Sequence, residues 1–171
     1  MENRWVNINT SISADGLGVP VVSIFFSYCD KKDITGAFCH KCQNEMLQED
    51  GVGFNLNLYE IKRIVDDKLS SMKSLLGREA GICFLGGEPT AEINRDMFMK
   101  LSEYYKDRFQ ILYTWRTKDL IEDKWIKYVD KTVCGEYVEK LNVGDDYELG
   151  STNQYVINGK KETILEYKGD G

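Results

Sequence analysis

Three of the chain's five cysteines and its only histidine lie in one short stretch, CDKKDITGAFCHKCQN, which we call the cysteine segment. Cys39 and Cys42 form a C-x2-C pair, and Cys29 lies ten positions before it. Because thiolates bind soft metals, this grouping indicates a metal site. Structural zinc sites and ordinary iron–sulfur clusters take four protein ligands. His40 lies inside the pair, where ligation would strain it, so the segment offers three ligands, as an open and reactive iron–sulfur cluster requires.

The remaining cysteines, Cys83 and Cys134, keep a structural zinc site open as an alternative. Cys83 lies in a predicted strand and Cys134 near the end of another, where cysteine usually packs as a small apolar residue. If either joined the cysteine segment, the four thiolates would form a closed zinc module without enzymatic activity.

A second chemical signal is the tetrapeptide GGEP, Gly86–Pro89, which directly follows the apolar run GICFL. Glycine carries no side chain, so the backbone of such a turn can approach a ligand closely. By itself the tetrapeptide also fits an ordinary strand-to-helix turn. Its place at the end of a predicted strand, downstream of the cysteine segment, makes it a candidate ligand-binding turn.

Apolar runs predict the strands that position both motifs. The strand VPVVSIFFSY ends directly at Cys29, GICFL ends at GGEP, and further strands are predicted for FQILYT, 109–114, and for residues 129–134. The carboxyl ends of parallel strands carry the chemistry in α/β folds. We therefore expect the cysteine segment and the GGEP turn to lie at the same end of one sheet.

Helical periodicity predicts the elements between these strands. The run LYEIKRIVDDKLSSMKSLL, 58–76, places apolar residues on one face and starts with a capping pair, Asn57 and Glu60. A second helix should follow Pro89, and a third should begin at Thr117. The residues predicted to share an apolar face of the second helix are Ile93, Met97, Leu101 and Tyr104.

Strands that alternate with helices predict an α/β fold with a largely parallel sheet. A complete eight-unit barrel needs about 250 residues. The 171-residue chain therefore predicts a single domain, residues 1–171, that contains a partial, open (β/α) barrel. Asn158 and Gly159 lie between two strand-like runs and predict a type I′ turn, which places a C-terminal β-hairpin at about residues 154–168.

Composition and charge exclude several classes of function. The net charge is −6 and the isoelectric point about 4.9, whereas nucleic-acid grooves are basic. The apolar run VPVVSIFF is far shorter than the roughly 20 residues that span a bilayer. The first residues, MENRWVNINTS, lack the apolar core of a signal peptide. We expect a cytoplasmic protein with reduced thiols and without nucleic-acid or membrane partners.

These motifs together resemble the radical S-adenosylmethionine (SAM) superfamily, and within it the activating enzymes of anaerobic ribonucleoside-triphosphate reductase. The resemblance runs from about Asn7 to Ile157. CHKCQN is similar to the C-x-x-C-[HYQ]-N motif, GICFLGGEPT to the glycine-rich turn, and DGLG, 15–18, to the opening D-G-P-G of that family. VDKTVCGEYVEKL and LGSTNQYVI resemble its later segments, and the second of these is the most family-specific match.

The chain also departs from the family pattern. The cysteine spacing is C-x9-C-x2-C instead of C-x3-C-x2-C, which adds six residues. Val19 and Pro20 occupy the region where an arginine is expected after DGLG, Cys134 replaces an acidic residue, and Tyr155 replaces a basic one. A longer loop keeps its ends close at modest entropic cost, so these departures concern recognition of the partner protein more than the cluster.

The resemblance implies two cofactors, a [4Fe–4S] cluster held in a cluster loop, residues 29–42, and SAM, whose methionine end would meet the turn at residues 86–89. The implied cluster ligands are Cys29, Cys39 and Cys42. Thr114 is a further candidate, because it ends a predicted strand at the same end of the sheet. The residues expected to contact SAM or to close the site are Lys41, Gln43, Gly86, Gly87, Glu88, Thr114, Gly150, Ser151, Asn153 and Gln154.

The activity implied by the resemblance is reductive cleavage of SAM to a 5′-deoxyadenosyl radical, which generates a glycyl radical on the large subunit of the anaerobic (class III) reductase. A one-electron donor such as flavodoxin or ferredoxin would supply the electron. A radical SAM enzyme acting on a small molecule, such as a 7-carboxy-7-deazaguanine synthase, is the alternative, although GSTNQ argues against it. Residues 30–38 are expected to hold the partner's glycine loop or to shield the cluster; otherwise they form a solvated insertion.

Overall fold

The structure is a computed structural model, which describes residues 2–39, 42, 44–136 and 153–159. The helices are α1 Lys31–Thr35, α2 Leu58–Leu76 and α3 Glu92–Tyr104. The strands are β1 Arg4–Ser11, β2 Val21–Phe26, β3 Phe54–Leu56, β4 Gly81–Gly86, β5 Gln110–Tyr113, β6 Lys131–Cys134 and β7 Tyr155–Asn158.

The strands form one open sheet in the order β3-β1-β2-β4-β5-β6-β7. Its centre, β2-β4-β5-β6, is parallel, as predicted. At the sides, β1, β3 and β7 pair antiparallel, and β1 and β3 are strands that the sequence analysis missed. Since β3 and β7 lie at opposite edges, the described part of the sheet is not closed into a barrel. The fold is mixed α/β.

Side chains alternate between two faces of the sheet. Helices α2 and α3 cover the outer face, where Ile24, Phe84 and Leu112 belong to the main apolar core. The opposite, inner face carries a smaller apolar cluster that includes Cys83 and Val133. The residues that follow β2, β4, β5 and β6 meet at one end of the sheet, which we call the carboxyl edge.

Helix α2 confirms the predicted pattern. Its capping box is present: the Glu60 N–H donates to Asn57 Oδ1 at 2.8 Å, and the Asn57 N–H donates to Glu60 Oε1 at 3.0 Å. Gly77, in the left-handed conformation at φ 71°, ends the helix. The side chains that α2 buries against the outer face are Ile61, Val65, Leu69 and Met72.

Helix α3 buries a face different from the predicted one. Met97 and Leu101 are buried as expected, but Ile93 and Tyr104 are 46% and 51% exposed. The buried stripe of α3 also contains the polar residue Asn94, which an apolar pattern cannot reveal.

The prediction of a helix that begins at Thr117 is wrong. This stretch forms two short 3₁₀ helices, Lys118–Leu120 and Asp123–Ile126, and of their residues only Trp125 is buried. Without a continuous apolar face to pack against the sheet, a longer helix gains little. None of the described helices is long and apolar enough to cross a bilayer.

The type I′ turn predicted at the end of β7 is also wrong. Neither Asn158 nor Gly159 has the positive φ that this turn requires. Gly159 instead lets the backbone after β7 pack closely against the backbone before β6. A Cβ on Gly159 would lie 2.0 Å from Val129 O, and the Gly159 N–H donates to Asp130 O at 2.6 Å. The second strand of the predicted hairpin, residues 160–168, lies outside the described residues.

Candidate functional site

The cysteine segment lies at the carboxyl edge of the sheet, as predicted. Cys29 follows β2, and Cys39 and Cys42 come after helix α1, which ends at Gly36 in the left-handed conformation at φ 92°. The three cysteines are each half-buried, and none of the chain's five cysteines forms a disulfide bond. Three thiols are therefore available for a metal at one end of the sheet.

The backbone at Cys29 is held from both neighbouring segments. The Tyr28 and Cys29 N–H groups donate to Leu47 O and Gln48 O, at 2.9 and 3.0 Å, and Tyr28 O accepts from Glu88 N at 2.7 Å. Tyr28 itself has a φ of 85°, which a residue with a large side chain rarely adopts. Such strain persists only where surrounding contacts enforce it, and it concentrates at functional sites.

Burial raises the pKa of the Cys29 thiol to about 12, and the charges of Glu88, Asp30 and Cys39 act in the same direction. A backbone hydrogen bond from Lys31 opposes this shift. Since a thiolate is the form that binds metal, metal binding at Cys29 would require loss of this proton.

The other two cysteines, Cys83 and Cys134, lie within the sheet. Cys83 is fully buried on β4, and its Sγ lies 3.7 Å from Asp15 O, which also accepts from Tyr113 Oη at 2.7 Å. Cys134 is fully buried, with its Sγ 3.7 Å from Thr132 O. Both therefore pack as small residues within the sheet.

A mononuclear metal site is not formed by the part of the chain that the structure describes: no three His, Cys, Asp or Glu side chains there group closely enough to hold one ion. A zinc ion needs all its ligands to converge on one centre. The thiolates of a four-iron cluster each bind a different iron of one compact centre.

The GGEP turn packs directly against the chain that leads to Cys29. A Cβ on Gly86 would lie 2.4 Å from Phe26 O, and one on Gly87 would lie 2.3 Å from Tyr28 O. The Gly87 N–H donates to Phe26 O at 2.8 Å. Both glycines are therefore required for this close approach, and a role in ligand binding would add to that requirement.

Glu88 is fully buried, and its carboxylate joins the turn to the end of β5. Oε1 accepts from Thr114 Oγ1 at 2.9 Å and from Trp115 N at 3.0 Å, while Oε2 accepts from Thr90 Oγ1 at 2.7 Å. Burial raises the pKa of Glu88, and Arg116 and the Thr90 hydroxyl oppose the rise. Glu88 and Thr114 were both predicted as SAM contacts, and in the structure their side chains are hydrogen-bonded to each other.

Sequence reasoning missed a buried ion pair beside the first cysteine. Asp30 and Arg116 are 8% and 4% exposed, and the guanidinium donates to both carboxylate oxygens of Asp30. Trp115 Nε1 donates to the same carboxylate at 2.9 Å. The available signal was the topology of the sheet, since each residue lies three or four positions after the end of a parallel strand, β2 or β5.

The start of the added loop is also buried, so a wholly solvated insertion does not describe it. Lys31 is 6% exposed; its Nζ lies 2.9 Å from Glu136 Oε2 and donates to Ala37 O at 2.9 Å. The exposed part of α1 includes Ile34, at 56%. Two residues of this loop, Asp30 and Lys31, are therefore buried, whereas residues 32–37 are exposed.

The comparison with known families decides the class of metal. The sequence model of a family described as a 4Fe-4S single cluster domain matches residues 14–157, which include all five cysteines. The chain belongs to this family. No curated protein matches the sequence. As a single-cluster iron–sulfur protein, the chain offers a donor set that fits: three thiols at one edge, with Cys29 and Cys39 close enough for one to shift the pKa of the other.

Beside the cysteine segment, the iron–sulfur domain has a cavity on the inner face of the sheet. Its volume is about 770 Å³, within the usual range for small-molecule sites. Cys42, Phe25 and the amide side chains of Asn7, Asn9 and Asn44 are among its lining residues.

The remaining predicted residues of the single-cluster domain lie at the end of β6 or outside the described part. Asn153 Nδ2 donates to Glu136 O at 2.7 Å, and Gln154 Nε2 to Gly135 O at 3.3 Å. Both therefore flank the carboxyl edge. The predicted site residues outside the described ranges are Lys41, Gln43, Gly150 and Ser151.

Proposed function

We propose that this iron–sulfur protein is a radical SAM activating enzyme that generates a glycyl radical on anaerobic ribonucleoside-triphosphate reductase. The observation that carries the proposal is the three-thiol ligand set, Cys29, Cys39 and Cys42, in a family whose members hold one [4Fe–4S] cluster. Ordinary electron-transfer clusters use four cysteines. A set of three leaves one iron for an exogenous ligand, and SAM is the ligand that the sequence motifs favour.

When bound, the cluster supplies the electron that splits SAM into methionine and a 5′-deoxyadenosyl radical. In this proposal the chain's own residues position the cluster and SAM and shield them from solvent. The cavity beside Cys42 has a volume in the range of small-molecule sites, and Phe25 contributes an apolar wall. The Gly87 N–H donates to Phe26 O and the Glu88 N–H donates to Tyr28 O, so the turn holds the chain that leads to the first cysteine.

The proposed substrate is a glycine loop of a second protein, which must enter the site. An open sheet, with β3 and β7 at opposite edges, leaves room for such a loop. Ile34 of α1 is 56% exposed within the cysteine segment and offers an apolar contact for the partner. The proposed electron donor is a flavodoxin or ferredoxin, and the proposed compartment is the cytoplasm.

A radical SAM enzyme acting on a small molecule is the second candidate. The observation that favours it is the lengthened spacing between Cys29 and Cys39, which here carries helix α1. Some small-molecule enzymes of the superfamily, among them deazapurine-forming synthases, have lengthened cluster loops.

The decisive experiment is anaerobic reconstitution with iron and sulfide, followed by SAM and dithionite. We expect about four irons per chain and formation of 5′-deoxyadenosine, measured by mass spectrometry, with Cys29→Ala as the inactive control. Electron paramagnetic resonance after mixing with the reductase should then show a glycyl radical. Absence of 5′-deoxyadenosine from cluster-loaded protein contradicts SAM chemistry. Its formation without a glycyl radical favours the small-molecule enzyme.

A further inference from the structure

Arg116 contacts two other strand ends of the carboxyl edge, and the proposed function does not use it. Its Nη1 donates to Asp30 Oδ1 at 3.0 Å, and its Nη2 donates to Oδ2 of the same carboxylate. Nη1 also lies 3.9 Å from Oε2 of Glu88. Asp30 is the residue after Cys29, and Glu88 belongs to the GGEP turn. One buried cation therefore connects the first cysteine's segment to the turn beside it.

The guanidinium is held on its other sides as well. It lies 4.9 Å from the ring centroid of Trp115 and 5.9 Å from that of Trp125. The backbone of Arg116 donates to Thr114 Oγ1 at 3.1 Å and accepts from Gly135 N at 3.0 Å. The side chain thus has one well-defined position, and the end of β6 is tied to it.

Stability alone is a weak reason for this arrangement. Buried ion pairs can often be replaced by apolar residues of similar volume without loss of stability. A bidentate guanidinium–carboxylate pair does fix direction and distance. Here it fixes the residue next to a metal ligand, where small displacements matter most.

We propose that Arg116 is a positioning residue for the iron–sulfur cluster, acting through Asp30 on the backbone of Cys29. Its charge has a second effect. Reduction of the cluster adds a negative charge, which a nearby cation favours and the carboxylates of Asp30 and Glu88 oppose. The proposal rests on the iron–sulfur family alone and does not depend on SAM or a glycyl radical.

The test uses the reconstituted full chain with Arg116→Met, Arg116→Lys and Asp30→Asn. Arg108→Met is the matched control, because Arg108 pairs with Glu79 at 2.8 Å just before β5, at the opposite end of that strand. Two quantities are measured: the rate of iron loss to a chelator, and the midpoint potential by mediated titration.

We expect all three test variants to release iron at least about tenfold faster than wild type, the usual scale for residues that support metal ligands. The midpoint potential of the cluster should fall in Arg116→Met and rise in Asp30→Asn. It should stay close to wild type in Arg116→Lys, because lysine keeps the positive charge but loses the bidentate geometry of the guanidinium. A purely structural role would not give shifts of opposite sign. Arg108→Met should behave as wild type.

The proposal is overturned if folded Arg116→Met and Asp30→Asn release iron at the wild-type rate, or if their potentials shift in the same direction. If either single variant fails to fold, the double variant Asp30→Leu/Arg116→Met leaves neither partner charge of this pair unpaired. Its circular dichroism should match wild type while iron loss is faster than in Arg108→Met. Wild-type iron loss in the folded double variant would refute the positioning role.

Discussion

The outer face and the carboxyl edge of the sheet both contain buried side chains, but of different kinds. On the outer face, Phe84 and Phe98 meet edge to face with ring centroids 4.9 Å apart, within an apolar core. At the carboxyl edge, the buried groups are Asp30, Glu88 and Arg116, and each has hydrogen-bonding or ionic partners. Apolar cores tolerate repacking, whereas a buried polar group needs its specific partner. The outer face therefore supplies stability, and the edge supplies geometry.

The largest expected effect separates a cysteine of the edge from a cysteine within the sheet. Cys29→Ala should abolish the visible absorbance of the reconstituted cluster, because alanine offers no ligand. Cys83→Ala should retain it, since Cys83 is fully buried on the inner face and its Sγ lies near Asp15 O. Iron and sulfide analysis checks both variants. Loss of iron in Cys83→Ala would mean that the ligand set is wrong.

The outer face should respond in the opposite way. Phe98→Ala removes a fully buried ring and should lower the free energy of unfolding of the iron-free protein by about 3–5 kcal/mol. The fraction that remains folded should still load iron normally. Leu75→Ala is the control, because Leu75 is 84% exposed on α2. Chemical denaturation measures the difference, and a cluster defect in folded Phe98→Ala would break the distinction between face and edge.

Gly87→Ala tests how tightly the edge is packed. The new Cβ would lie 2.3 Å from Tyr28 O and 2.5 Å from Leu47 O, so the backbone before Cys29 must shift. We expect a loss of about 1–3 kcal/mol in stability, together with faster iron release. The same two measurements in Gly36→Ala separate backbone strain from steric overlap, because a Cβ there meets nothing within 4 Å while the φ of 92° still disfavours alanine. Normal iron retention in Gly87→Ala would show that the edge adapts as a core does.

The smallest expected effect depends on pH. Burial raises the pKa of the Cys134 thiol to about 12, and the charge of Glu88 adds to the rise. A thiol in the unfolded chain titrates near about 8.5. Between these values the unfolded state loses a proton that the folded state keeps, so stability falls as pH rises.

Removing this thiol should flatten that fall. In iron-free protein with reductant, the stability of Cys134→Ala should decline less between about pH 8 and about pH 10.5 than that of wild type, by on the order of 1 kcal/mol. Thermal unfolding across this range gives the profile. Parallel profiles for the two proteins would rule out Cys134 as a source of the pH dependence.

The parts of the fold that were predictable share one property, which is a local pattern. Helix α2 combines an apolar stripe with a capping box at Asn57 and Glu60, and both signals lie within one stretch of sequence. The central strands are apolar runs buried on both faces. The sequence RWVNINTS of β1 has a polar inner face, which carries Asn7 and Asn9, and it was missed for that reason.

The parts that could not be predicted depend on contacts between distant residues. Asn94 faces the core because it donates to Ser27 O and Glu88 O, both at 3.0 Å. Asp30 and Arg116 are separated by 86 positions, and each looks like a solvated charge in its own stretch. Sequence reasoning therefore found the cysteines, the glycine turn and the buried pair Glu88 and Thr114, but not Asn94, Asp30 and Arg116.

The backbone contact between Arg116 and Gly135 has a consequence for biosynthesis. Arg116 O accepts from Gly135 N at 3.0 Å, while the same residue's side chain holds Asp30. The Asp30–Arg116 contact joins residues 86 positions apart, so it cannot form before both have been synthesised, and a nascent chain emerges from its amino terminus. The surroundings of Cys29 are therefore incomplete until residue 135 has left the ribosome. Iron delivery should follow translation of this residue, so the growing chain would carry unprotected thiols through most of its synthesis.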